Sequence, residues 1–299
     1  MGKIAFVFSG QGDQYPGMGK QLAEKYPVAA SVFEACDSIR PGTSCQCFGG
    51  TEEELKETKN TQPCLFAMEL AAASVLLEKG VKPDALAGFS LGEVVAAVVG
   101  GIFDRETGFR LVCQRGKLMQ TEAEKQDTSM AAVVKLTQAQ VEEIAGRYSD
   151  VYPVNYNCPG QITVSGLTSQ MAPFAADVKA ARGRAIPLKV KGAFHSPFMK
   201  EAAKAFAAEL AQAEMGEARI PLYSNMTAEP YTADARTLLS QQICSPVRWE
   251  SIIRNMARDG VDTFIEIGPG RTLTNMIQKI ETSVKAVTIF EYLSEVEGC

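Results

Sequence analysis

Apolar positions along the 299-residue chain switch between short continuous runs and helical spacing. Residues 4–8 form a five-residue apolar run closed by Gly10-Gln11-Gly12, the pattern of a buried strand and its turn. Residues 17–39 place Met18, Leu22, Val28, Val32 and Phe33 at helical spacing. After a Gly- and Cys-rich stretch at 41–50, Thr51-Glu52-Glu53-Glu54 carries the N-cap and first-turn acids of a helix start. Residues 64–79 predict a strongly apolar helix, 84–89 a short strand, 90–100 a second apolar helix and 104–123 a further one. Strand, sharp turn and buried helix in succession point to an α/β unit with a largely parallel sheet.

The pattern changes near residue 127. Residues 129–135 read as a strand, 137–147 as a helix, and 151–156 and 161–165 as strands joined by Cys158-Pro159-Gly160. A helix at 169–181 and a strand at 185–190 complete a βαββαβ order, the arrangement of a ferredoxin-like domain. The chain then returns to long helices (197–214, 234–243, 249–259), a strand at 262–267 and, after Gly268-Pro269-Gly270, a helix at 271–281. The expected organisation is a discontinuous α/β core, 1–126 and 192–299, split around a small ferredoxin-like domain at 127–191.

Composition narrows the class. The chain is 46% hydrophobic and 22% charged, as a soluble globular protein is. Its net charge of −5 argues against general affinity for nucleic acid or anionic membrane. The opening MGKIAFVFSG has too short an apolar run for a secretory signal, and Phe stands at position 6, where myristoylation of Gly2 needs Ser or Thr. No segment is apolar enough over the length of a bilayer. The expected location is the cytoplasm. There the eight cysteines read as thiols; without paired CxxC knuckles, and with His195 the only histidine, a structural zinc site is not expected. The sequon Asn225-Met226-Thr227 carries no meaning in that compartment.

Gly88-Phe89-Ser90-Leu91-Gly92, between a strand and a helix, has the form of a nucleophile elbow, and with it the core is expected to be α/β-hydrolase-like. Such a turn leaves no room for a Cβ beside the serine and sets its hydroxyl at a helix N-terminus, where developing negative charge is favoured. A serine nucleophile needs a base, and His195 is the default one. The Gly10–Gln14 turn fails both familiar glycine motifs: Tyr15 breaks a dinucleotide fingerprint, and Gln14 and Gln21 break a P-loop. Main-chain N–H groups on such a turn suit an oxyanion hole.

Taken together, the chain resembles the malonyl-CoA:acyl-carrier-protein transacylases and the acyltransferase domains of fatty-acid and polyketide synthases. FSGQGDQYPGMG, TQPCLFAMEL, GFSLGE, CQRGKLMQ, GAFHSPFM, SPVRW and EIGPGRTL match that family's segments in order over nearly the whole length. The resemblance implies Ser90 as nucleophile, His195 as base, and the Gln11 and Leu91 amides as the oxyanion hole. It implies Arg115 as the holder of the malonyl carboxylate, the Gln242 carbonyl as the group orienting His195, and Phe194 and Met119 as further substrate-binding residues. Ser165 falls in the small domain that helps shape the cleft. A guanidinium fork does suit a carboxylate and would select malonyl over acetyl. One departure is Phe89, where the family usually has His; acyl selectivity and rate are the properties it bears on. The bulk of Phe194 should disfavour an α-methyl branch.

The implied reaction is ping-pong, from malonyl-CoA to the phosphopantetheine thiol of an acyl carrier protein through malonyl-Ser90. Coenzyme A enters as substrate, and no separate metal or cofactor is implied. Lys189, Lys191 and Lys200 flank His195 and read equally as a rim for an acidic carrier protein or as ordinary solvated lysines. Two other readings stay open: hydrolysis of acyl thioesters, and a non-catalytic synthase scaffold.

Overall fold

The computed structural model describes residues 2–232 and 234–298. Its strands are β1 (Lys3–Phe8), β2 (Ala85–Gly88), β3 (Thr128–Val134), β4 (Val151–Cys158), β5 (Gln161–Leu167), β6 (Arg184–Pro187), β7 (Leu222–Tyr223), β8 (Val261–Ile267) and β9 (Lys285–Thr288). Five of them form one sheet in the order β7-β2-β1-β8-β9, with every pairing parallel. The centre of β1, Ala5 to Phe8, is fully buried, as a run without alternation requires of a strand covered on both faces. The helices Thr58–Glu78, Gly92–Val99 and Arg105–Ala123 pack over one face, and Trp249–Arg258 and Thr272–Ile280 belong to a second apolar cluster on the other.

The remaining four strands form an antiparallel sheet in the order β4-β5-β3-β6, backed by the helices Gln138–Ala145 and Thr168–Ala180. Val133, Val141, Ile162, Val164 and Phe174 fill a separate apolar core there. This sheet is tied to the segment leading into the helix Trp249–Arg258 through Val247, which donates to the Val154 carbonyl and accepts from the Tyr156 N–H at 2.8 and 2.9 Å.

Several elements differ from the expected pattern. Residues 17–39 form two helices, Lys20–Lys25 and Pro27–Ile39, because proline at the second start disfavours helix at Tyr26, which is extended. The Gly- and Cys-rich stretch holds the helix Thr43–Gly49. The apolar helix begins at Thr58, ahead of its apolar run. β6 stops at Pro187, and a 3-10 turn, Pro197–Met199, precedes the helix Lys200–Gln212. β7, β9 and the final helix Ile289–Glu297 had no counterpart in the pattern. No helix among the described residues is long and apolar enough to cross a membrane. The seven described cysteines are free thiols, and Cys299 lies outside the described residues.

What this topology achieves is local. Phe8 pairs with Gly88 at the carboxyl ends of β1 and β2, so the Gly10–Gln14 turn and the Ser90 turn leave the sheet side by side.

Candidate active site

Ser90 sits between β2 and the helix Gly92–Val99 with φ at 54°. A Cβ on Gly88 would strike the main chain of Gly92 and Glu93, and one on Gly92 would strike the Phe8 carbonyl. The turn therefore closes only with glycine on both sides. Asn225 clasps it: Oδ1 accepts from the Ser90 N–H at 2.8 Å, and Nδ2 donates to the Gly88 carbonyl at 2.6 Å. This asparagine of the sequon is fully buried with both ends of its amide in use.

His195 also lies in the left-handed region, at φ 61°, pinned by its N–H to the Ile243 carbonyl at 3.1 Å. Its Nδ1 is 2.9 Å from the Gln242 carbonyl and its Nε2 is 2.7 Å from Ser90 Oγ. A carbonyl only accepts, so Nδ1 carries the proton and Nε2 offers a lone pair to the serine hydroxyl. Burial, followed by the positive charge of Arg115, pushes the imidazole down to about 4. At neutral pH His195 is uncharged and able to take a proton.

Arg115 projects from the helix Arg105–Ala123 and is fully buried. Nη2 donates to Ser90 Oγ at 3.2 Å and to Gln242 Oε1 at 2.6 Å, and Nη1 donates to Gln62 Oε1 at 2.8 Å. Nε has no partner. Burial lowers this guanidinium to about 10, against the charge of Glu93, so it remains a cation at neutral pH. A desolvated cation with a spare donor, beside a hydroxyl that faces a neutral imidazole, is suited to an acyl group that carries its own carboxylate.

A cavity of about 80 Å³ opens over Ser90, lined by Gln11, Gln62, Leu91, Met119, Phe194 and His195, among others. Arg115 and Gln242 stand behind it. The structure thus gathers all eight residues singled out from the sequence around one point. Among the described residues, neither the Gln11 nor the Leu91 main-chain N–H is paired. Phe89 lines the same cavity and packs edge-on against Trp249, ring centroids 5.6 Å apart. Ser165 reaches the Phe194 carbonyl at 3.5 Å, and Lys189, Lys191 and Lys200 are exposed. A groove of about 770 Å³ along the outer face of the Arg115 helix, lined by Arg40, Arg110 and Lys117 among others, contains none of the eight.

Three residues of the site went unassigned in the sequence. Gln62 and Asn225 are described above; the third is Glu93, the last residue of GFSLGE. Its Oε1 accepts from the Asn225 N–H at 3.1 Å and from Tyr231 Oη at 2.6 Å, and its Oε2 accepts from Gln242 Nε2 at 2.6 Å. Burial pushes this carboxyl up to about 7, opposed by those donors. Its position, three residues after Ser90 and inside an apolar helix, was the available signal, since an acid there has to find partners or be expelled.

A family model for the acyl transferase domain matches residues 5–294. The malonyl CoA-acyl carrier protein transacylase of Bacillus subtilis is 37% identical over 298 residues, covering 97% of this chain and 94% of that protein. The crystal structure of the transacylase of the same name from Clostridium perfringens superposes with a TM-score of 0.95 at 33% identity, covering 99% of this chain and 98% of that one. A malonyl-transacylase solved in complex with its type II PKS acyl-carrier protein gives a TM-score of 0.95 at 32% identity, covering 99% and 100%.

Proposed function

The chain belongs to the acyl transferase family, and we infer from its site that it moves a malonyl group from malonyl-CoA to the phosphopantetheine thiol of an acyl carrier protein through malonyl-Ser90. The observation that carries this reading is the buried Arg115 guanidinium, 3.2 Å from Ser90 Oγ. A cation in that place fits an acyl group bearing a terminal carboxylate and has no use for a plain one.

In the first half-reaction His195 Nε2 takes the Ser90 proton as Oγ bonds to the thioester carbon. The oxyanion falls to the unpaired Gln11 and Leu91 amides, the second of them at the start of the helix Gly92–Val99. Collapse breaks the C–S bond, and the leaving thiolate takes the proton from His195 to give free coenzyme A. The carrier thiol then gives its proton to His195, its sulfur bonds to the malonyl ester carbon, and the C–Oγ bond breaks as the proton passes to Ser90 Oγ. The Gln242 carbonyl holds His195 in the tautomer both halves need. Phe194 and Met119 line the acyl pocket, and the bulk of Phe194 disfavours an α-methyl branch. The product serves fatty-acid or polyketide synthesis.

The same reading extends to architecture. We assign an α/β-hydrolase-like core to 1–126 and 192–299, and a ferredoxin-like domain to 127–191. The β6-β3-β5-β4 order with two helices supports the second assignment. Exposed Lys189, Lys191 and Lys200 suit docking of an acidic carrier protein. Free thiols at seven cysteines suit a cytoplasmic protein.

Intact mass after brief incubation with malonyl-CoA tests the reaction. Wild type should gain a malonyl adduct that holo carrier protein discharges, and Ser90→Ala should gain none. Free malonate accumulating without an adduct would replace this reading with hydrolysis.

A pH profile tests the base. Acetyl-CoA puts no carboxylate on Arg115, so its kcat/KM isolates His195. Protonation disables this base, and its value is depressed to about 4. The rate should therefore stay level through pH ~6.5, the ordinary imidazole range, and fall only as pH approaches about 4. A fall centred near pH ~6.5 that persists in Glu93→Gln would mean a solvated imidazole.

A further inference from the structure

Of the buried acids that the steps above leave unused, Glu93 is the one bonded to a residue of the site. Glu93 touches neither Ser90 Oγ nor His195, yet it stands at the root of the contacts that hold Arg115. The Gln242 side chain lies between them. Its Oε1 accepts from Arg115 Nη2 at 2.6 Å, and its Nε2 donates to Glu93 Oε2 at 2.6 Å and to the Ser90 carbonyl at 2.7 Å. Gln242 and Glu93 are both buried.

We propose that Glu93 is a positioning residue for acyl selectivity: by accepting from Gln242 Nε2 it fixes which end of that amide faces Arg115, and so holds the guanidinium ready for the malonyl carboxylate. A primary amide is nearly symmetric in shape and opposite in polarity at its two ends. Both Glu93 oxygens accept, Oε1 from the Asn225 N–H and Tyr231 Oη and Oε2 from Gln242 Nε2, and the Ser90 carbonyl can only accept, so Gln242 turns its NH2 toward them and its oxygen toward Arg115. Reversed, the amide would set a donor against the guanidinium and an acceptor against the carboxylate. The carboxylate is itself held from another segment of the chain, by the Asn225 N–H and Tyr231 Oη, so its orientation does not depend on Gln242. Glu93 also acts on Arg115 through its charge, while the guanidinium's own hydrogen bonds among the described residues go to the neutral Gln62, Ser90 and Gln242.

The proposal rests on the malonyl-transfer reading. Its test is the rate of Ser90 acylation from malonyl-CoA and from acetyl-CoA, measured in single turnovers on wild type and Glu93→Gln. The substitution keeps the volume and takes away one of the two acceptors that hold the Gln242 NH2, leaving the Ser90 carbonyl alone to orient the amide. Malonyl kcat/KM should fall on the order of tenfold, the usual cost of a buried group left unsatisfied, with acetyl changed less than about twofold. The malonyl-to-acetyl ratio then drops about tenfold. A merely structural Glu93 would lower both rates together, and that result overturns the proposal, as does an unchanged ratio. In the Gln242→Met background the same substitution should leave the ratio where Gln242→Met alone puts it, because the bridge is already gone. If Glu93→Gln does not fold, Glu93→Asp decides: it keeps a carboxylate but draws it back by one methylene from Gln242 Nε2. A larger loss for malonyl supports the proposal, and equal losses sink it. Wild type that takes no malonyl from malonyl-CoA overturns the reading beneath it instead.

Discussion

His195→Ala is expected to slow malonyl transfer onto Ser90 by on the order of 10²–10⁴-fold, the usual worth of a positioned general base. Ser90 Oγ has two polar neighbours among the described residues, His195 Nε2 and Arg115 Nη2. The second is a donor that cannot accept a proton, so no substitute base stands within reach once the imidazole is gone. Binding should suffer far less than turnover. The loss belongs in kcat, with KM for malonyl-CoA close to wild type, and a double variant with Ser90→Ala should be no slower than Ser90→Ala alone. Single-turnover acylation beside a thermal melt checks this. A loss smaller than about tenfold would mean that water or another group supplies the base.

Arg115→Leu is expected to act on the other coordinate, the choice of acyl group. Truncating one partner of a buried charge pair costs about 2–5 kcal/mol, so malonyl kcat/KM should fall on the order of 10²–10³-fold. Acetyl transfer, which never forms that pair, should change little, and discrimination between the two should largely collapse. Arg115→Lys keeps the charge and loses the planar fork; it should fall between, since a tetrahedral ammonium cannot present the parallel N–H pair that a carboxylate takes from a guanidinium. Gln62 and Gln242 lose a donor in the leucine variant, so some stability goes too, and the melt separates that from selectivity. Parallel losses for malonyl and acetyl would show that Arg115 does not read the carboxylate.

Much of this arrangement is legible in the sequence. The β1 run, the glycines around Ser90 and the lone histidine are strong signals because each has few alternatives: a buried strand has no polar positions, a strained elbow admits only glycine, and a single imidazole is the sole neutral-pH base of its kind. The short pieces were not legible. β7 is two residues long and β9 four, lengths at which no periodicity can be seen. The helix break at Tyr26 was masked because apolar spacing continues across Pro27. The start of the helix Thr58–Glu78 was hidden in polar residues, of which Thr58, Thr61 and Gln62 turn out buried. The same blindness covers the polar interior of the site. Glu93, Gln62 and Asn225 are ordinary surface residue types, and only their partners reveal that they are inside. Composition cannot distinguish a buried amide with both ends occupied from one waving in water. The Gln242 side chain was not legible for a further reason: the resemblance implies a role for its main-chain carbonyl, and nothing in the sequence marks a second one for its amide.

Of the non-glycine residues that adopt the left-handed conformation, two are Ser90 and His195. Each sits about 1–2 kcal/mol above the right-handed alternative, and glycine would relieve both. Neither position can accept it, because the relief removes the hydroxyl or the imidazole. A screen that rewarded thermal resistance alone would drift toward glycine at Ser90, where little side chain is lost, and select inert protein; at His195 the loss of a buried imidazole outweighs the relief. Laboratory evolution of a hardier variant therefore has to be scored on turnover, and its gains sought elsewhere in the chain.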